Sequence, residues 1–183
     1  MRVVLLAHAP TAATRRIAFP ADEPVEASSV DVALPRVAEV VTAPALRCRG
    51  TAEALGLRAT VDATLAGCDH GRWTGRPLDE IAAEDPAGLR DWLTDPDARP
   101  HDGETTAEFV SRIGHWLDGR DRPPAGLLAV VDPSVVRAVL VHVTGAPPTA
   151  MRRFDVAPLA LAVLTGSAAQ WSVRELRPTH RAG

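Results

Sequence analysis

The sequence predicts an α/β fold: a three-layer sandwich in which a mainly parallel sheet is covered by helices on both faces. Two observations carry that prediction. Short apolar runs at residues 3–7, 37–42 and 127–131 alternate with stretches of helical character, the order that builds parallel sheets from strand–helix crossovers. The first and last of these runs also end in polar residues, His8 and Asp132, and in such a sheet the loops after the strands converge on one ligand-binding edge.

Each element has its own signal. Residues 3–7 read as a buried strand that delivers a loop, His8-Ala9-Pro10-Thr11. The second run stops at Ala43-Pro44, and residues 45–55 have good helix formers with Gly56 placed to cap them. Residues 17–36, with Pro20, Pro24 and Pro35, are expected to be mostly loop with one short helix at most. Phe109, Ile113, Trp116 and Leu117 share one face of a helix over residues 105–117. After the strand at 127–131, Asp132-Pro133-Ser134 opens a helix with Ser134 near its N-cap, continuing to Thr144. Residues 159–164 and 171–173 are the closing strands. One domain over residues 1–177 is expected, with a poorly ordered tail at 178–183.

Composition excludes several function classes. The chain has 183 residues, enough for one domain to bury a real core, and a net charge of −3 that gives no overall basic field for nucleic acid. Every basic residue is Arg, so lysine-based Schiff-base or general-base chemistry is impossible. The two cysteines, Cys48 and Cys68, form no CxxC and indicate neither a disulfide framework nor a zinc ribbon. No apolar stretch approaches the roughly 20 residues of a membrane span. The N-terminal apolar run is too short for a signal peptide. A cytoplasmic protein without nucleic-acid or membrane partners is expected, its oligomeric state left open.

Five motifs then appear in order. They are Leu5-Leu-Ala-His-Ala-Pro-Thr11, Thr42-Ala-Pro-Ala-Leu-Arg-Cys-Arg-Gly-Thr-Ala-Glu53, Leu65-Ala-Gly-Cys-Asp-His-Gly-Arg-Trp-Thr-Gly75, Gly103-Glu104-Thr105 and Val130-Val-Asp-Pro-Ser-Val-Val-Arg137. Together they resemble the histidine phosphatase (phosphoglycerate mutase-like) superfamily. That resemblance implies a neutral His attacking phosphorus, two Arg and a second His holding the phosphoryl oxygens, and an acid protonating the leaving group. It places His8 as nucleophile and Arg47 as the second Arg, with Thr11, Glu104 and Thr105 at further anion-binding positions. Four positions depart from the pattern. The first Arg is Ala7, the Gly after the His is Ala9, the acid is Gly67 and the second His is Asp132.

The residue at 132 matters most. A carboxylate about 4 Å from a phosphate charge costs roughly 4 kcal/mol at an effective dielectric of 20. An ionised Asp132 therefore repels a dianion unless it is protonated, metal-bound or turned against an Arg. Its plainest role is capping the helix that follows; acid/base work, orientation of His8 and metal ligation are the alternatives. Asp69 is the candidate replacement acid. Arg15, with Arg16 and Arg49, is a candidate for the missing first Arg. Arg47 can equally pair with Glu53 or Glu104, Arg137 is expected to brace the sheet edge, and Trp73 to pack in the core. Cys68, His70 and His101 are metal-ligand candidates by residue type, though their spacing matches no recognised metal motif, and no cofactor is expected.

Three functions remain open. The resemblance implies phosphomonoester hydrolysis or phosphoryl transfer on a small phosphorylated metabolite, weak or altered in activity; the compact chain is similar to the smaller members, which include α-ribazole phosphatases. A catalytically inactive anion-binding or protein-interaction relative is the second. A metal-binding or repurposed enzyme using His8 with Asp132 is the third.

Overall fold

The computed structural model describes residues 1–26, 30–120, 126–167 and 170–178. A six-stranded mixed sheet, ordered β3-β2-β4-β1-β5-β6, forms its centre. The strands are β1 (Arg2–Ala7), β2 (Glu39–Thr42), β3 (Thr60–Val61), β4 (Leu127–Val131), β5 (Leu161–Ser167) and β6 (Gln170–Arg177). Strands β3, β2, β4 and β1 run parallel, while β5 is antiparallel to both β1 and β6. All of β4, and all of β1 beyond Arg2, is buried, which is the burial of central strands covered on both faces. The helices are α1 (Ala12–Arg16), α2 (Leu46–Ala54), α3 (Leu78–Glu84), α4 (Pro86–Thr94), α5 (Thr106–Asp118) and α6 (Pro133–Thr144).

Register positions the site. Ala7 pairs with Val131 and Thr42 with Val130, so the parallel strands β1, β4 and β2 end side by side. The next residues, His8 and Asp132, are thereby neighbours, and the His8 N–H donates to the Val131 carbonyl at 2.9 Å. Leu159 fixes the loop from the other side. It lies in the left-handed region at φ 62°, and its N–H is shared between the carbonyls of Ala7 (3.1 Å) and His8 (3.2 Å).

Several boundaries move from their expected places. The helix after β4 is capped by Asp132, whose side chain accepts from the Ser134 N–H, with Pro133 at the first turn; Ser134 lies inside the helix. The closing strands start or end later than the apolar run suggests, because they form a hairpin that extends beyond it. Residues 17–36 contain no helix among the described residues, and the short helix α1 sits just before them. Helices α3 and α4 carry no expectation from periodicity. The signal for α4 is capping chemistry: the Asp85 side chain accepts from the Gly88 N–H and Pro86 takes the first turn. With Phe19, Trp73 and Ile81 they build a second, smaller core. The expected disorder of the tail beyond Pro178 lies outside the described residues.

Candidate active site

Three strand ends supply the floor of the site. His8, Arg47 and Asp132 are all buried, at 4%, 6% and 7% exposure. One carboxylate oxygen of Asp132, Oδ2, accepts from Arg47 Nε at 2.9 Å and lies in an ion pair 2.7 Å from Nη2. The other, Oδ1, accepts from the Ser134 N–H (3.0 Å) and hydroxyl (2.8 Å). Arg47 Nη1 donates to the Ala21 carbonyl at 2.6 Å. The guanidinium is therefore occupied on all three nitrogens. Of the escapes open to a carboxylate at this position, the chain takes the last: Asp132 is turned against an Arg.

Burial alone raises the Asp132 pKa; the adjacent His8 ring, the Arg47 charge and the Ser134 N–H outweigh it and hold the carboxyl well below the usual range. Burial likewise opposes the Arg47 charge, and Asp132 more than offsets that, raising the Arg47 pKa further. His8 completes the group. Its Nδ1 lies 2.7 Å from the Ala9 carbonyl, which can only accept, so Nδ1 carries a proton. Nε2 faces Asp132 Oδ2 at 3.7 Å. The loop is tied to α2 because the Ala9 N–H donates to the Thr51 hydroxyl, which itself donates to the Arg47 carbonyl.

The altered positions fit one another. A Cβ built on Gly67 lies 3.5 Å from Arg47 Nη2 and 3.6 Å from Asp132 Oδ2, so an acid here would meet the carboxylate that already holds Arg47. Ala7 is fully buried within the main apolar core, where the family's first Arg has no counterpart.

The remaining candidates divide. Thr11 lines the cleft above His8, caps α1 and donates to Glu23. Glu104 is absent from the cleft lining, and the expected pairing of Arg47 with Glu53 or Glu104 does not occur: Arg112 grips the Glu104 carboxylate through Nε (2.8 Å) and Nη2 (2.7 Å). Thr105 is the N-cap of α5 in a capping box with Glu108. Arg15 is exposed and pairs with Glu26 at 2.6 Å, away from His8. Asp69 accepts from the Gly71 N–H and lines a separate surface depression with Glu104 and Arg112. The neighbouring motif glycines allow a close backbone crossing: a Cβ on Gly71 would lie 2.0 Å from the His101 carbonyl, and one on Gly103 would lie 2.2 Å from that of Asp69.

The metal-ligand candidates do not converge. Among the described residues no group of three or more His, Cys, Asp or Glu is placed to hold a metal. The Cys68 thiol faces the Glu104 carbonyl, and burial pushes its pKa up to about 12. His101 Nδ1 accepts from the Gly103 N–H at 2.9 Å. His70 stacks on Phe19, and burial lowers its pKa to about 4.

A cleft of about 450 Å³ rises from this floor. Its upper walls come from Phe19, Leu89, Trp92, Phe109, Met151 and Val156, with Arg137 and Arg152 also lining it. Sequence reasoning missed this aromatic wall because α4, which carries Leu89 and Trp92, was not recognised as a helix. The Asp85-Pro86 pair was the available signal. Arg137, expected to brace the sheet edge, instead donates to the carbonyl of Phe154, outside the strands, at 3.0 Å.

Fold and motif order together define a histidine-phosphatase-like protein. The model of the histidine phosphatase superfamily (branch 1) matches residues 26–179, and the chain belongs to that superfamily. The match begins after His8, leaving out the opening segment where Ala7 and Ala9 stand. Solved structures share the fold across nearly the whole chain. An Escherichia coli structure aligns with a TM-score of 0.80 at 19% identity, covering 98% of this chain and 97% of that one. The α-ribazole phosphatase of Shigella flexneri gives 0.76 at 18%, covering 96% of each chain. A mycobacterial glucosyl-3-phosphoglycerate phosphatase gives 0.76 at 17%, covering 98% of this chain and 99% of that one. In sequence, the bifunctional protein Rv2228c of Mycobacterium tuberculosis is 37% identical over 90 residues, which are 47% of this chain and 24% of that protein. The matched stretch thus spans about a quarter of this curated relative. No helix among the described residues is long and apolar enough to cross a membrane.

Proposed function

We propose that this chain is a ligand-binding relative of the histidine phosphatases in which the phosphoryl-binding cation has been taken over from within. The observation that carries this reading is the Asp132 carboxylate on Arg47 at 2.7 and 2.9 Å, buried from solvent. Phosphoryl transfer depends on positioning and on cations that meet the developing charge. Here one Arg position is alanine, the other Arg is already neutralised, and a phosphate at His8 Nε2 would enter against a carboxylate. The acid position is glycine. The cleft above remains open to a small anionic metabolite.

A second reading has one observation in its favour. With Nδ1 donating to the Ala9 carbonyl, a neutral His8 presents its lone pair at Nε2, the form a phosphorus nucleophile needs. Residual phosphomonoesterase activity on a small metabolite, α-ribazole phosphate being one that the relatives suggest, is the outcome it predicts. Steady-state assays on a panel of phosphomonoesters, run beside His8→Ala, separate the two. The ligand-binding reading expects turnover no higher than that of the variant. Turnover that disappears with His8→Ala would sink it.

A further inference from the structure

The cleft has a charge pattern that a phosphatase floor does not account for. Both carboxylates lining it, Asp132 and Glu23, act on Arg47 below. Arg137 and Arg152 line the same cleft, and among the described residues neither forms an ion pair. Arg137 is half-buried and spends Nε on the Phe154 carbonyl. Arg152 lies over the Trp92 ring, 4.2 Å from its centroid, and donates to the Trp92 carbonyl. In a chain of net charge −3, two uncompensated guanidiniums beside a greasy wall are a local exception.

The wall itself is aromatic and apolar. Phe19 packs edge-on against Trp92, with ring centroids 5.3 Å apart. Ile17, which also lines the cleft, is 71% exposed and held at φ 50°. A β-branched residue in the left-handed region is strained, and such strain clusters where a ligand is gripped. Among the described residues nothing buries this side chain in return.

We propose that the cleft binds an amphipathic monoanion: a flat apolar or aromatic body against Phe19, Trp92 and Ile17, with a carboxylate held by Arg137 and Arg152. The inference deepens the ligand-binding reading and rests on it, since the anion sits on the wall guanidiniums because Arg47 is taken. A monoanion suits the site better than a phosphate dianion, because Asp132 and Glu23 stand on the same surface. The volume, about 450 Å³, accommodates a molecule of two fused rings with a short acidic arm.

The test is displacement of anilinonaphthalene sulfonate fluorescence from the folded protein by naphthaleneacetate and by the uncharged naphthaleneethanol. The acid is expected to compete at least about tenfold better, the difference of one charge-assisted contact. The double variant Arg137→Gln/Arg152→Gln should lose that preference while still binding the alcohol. Equal competition by acid and alcohol in the wild type, or a preference that survives the double variant, overturns the proposal. So does displacement by inorganic phosphate at lower concentrations than naphthaleneacetate, which would put the anion at the floor. If the double variant does not fold, a salt series on the wild type decides: competition by the acid must weaken with added salt while that by the alcohol does not, and matching insensitivity refutes the proposal. An aryl phosphate assay on the same preparation keeps the two readings apart. His8-dependent turnover removes the non-hydrolytic reading, whereas loss of the acid preference removes only the ligand class.

Discussion

Arg47 meets a single carboxylate oxygen of Asp132 through an Nε hydrogen bond and an Nη2 ion-pair contact, while the other oxygen of Asp132 caps α6. One side chain thus closes a helix and satisfies a buried cation. Asp132→Ala removes both, leaving the Arg47 guanidinium short of partners. Breaking a buried pair from one side typically costs about 3–5 kcal/mol, and loss of a cap about 1 more. Chemical denaturation should show a loss in that range, with Asp132→Asn falling between the variant and wild type.

The same vacancy makes the variant an anion receptor. Phosphate or vanadate should raise the Tm of Asp132→Ala by several degrees and leave wild type nearly unmoved, because only the variant offers a free guanidinium at the floor. Asp132→His should gain more than Asp132→Ala, and more at pH 6 than at pH 8, since a protonated imidazole adds a donor. A wild-type shift as large as either variant's would mean that Asp132 yields Arg47 to an incoming anion.

The sheet and this floor were legible from sequence for a definite reason. Strand runs fix which residues follow β1 and β4, and parallel register makes His8 and Asp132 neighbours without further information. The partner of Arg47 was not legible. Arg47 had Glu53, Glu104 and Asp132 as possible mates, and only the rotamers imposed by the α2 and α6 starts decide among them. Glu104 illustrates the converse. Its motif position pointed to the anion site, but Arg112, eight residues on and one face round α5, reaches back to claim it. The apolar wall was hidden because α3 and α4 are short, and periodicity needs more turns to speak.

Gly67 and Asp132 should be energetically coupled. Gly67→Ala places a methyl group in ordinary contact with the pair, at 3.5–3.6 Å, and should change stability by less than about 1 kcal/mol. Gly67→Glu sets a second carboxylate beside Asp132 and should destabilise by about 2 kcal/mol or more. In the Asp132→His background the same Gly67→Glu should be nearly neutral. A double-mutant cycle by urea denaturation reads the coupling directly; additive effects would show that the two positions do not sense each other.

Acid should weaken the fold in a window set by His70. Burial, with the nearby His101, brings its folded pKa to about 4, below the value of about 6.5 expected when unfolded. A base with a depressed folded pKa is neutral in both states above pH 6.5, so there it carries no penalty. Between about pH 6.5 and 4 the unfolded chain binds the proton and the folded one does not, so stability falls as pH falls, by at most about 3 kcal/mol. Asp132 adds a second loss at lower pH. Its folded pKa is also depressed, and the stability it lends is present above about pH 4 and disappears as the pH drops toward that depressed value. The two are separable. His70→Phe keeps the ring packing against Phe19 and Trp92 and removes its titration, so its denaturation midpoint should decline less steeply from pH 6.5 to about 4.5 than that of wild type, the remaining slope coming from His101, whose pKa burial also lowers. Parallel decline in both proteins would assign the acid sensitivity elsewhere.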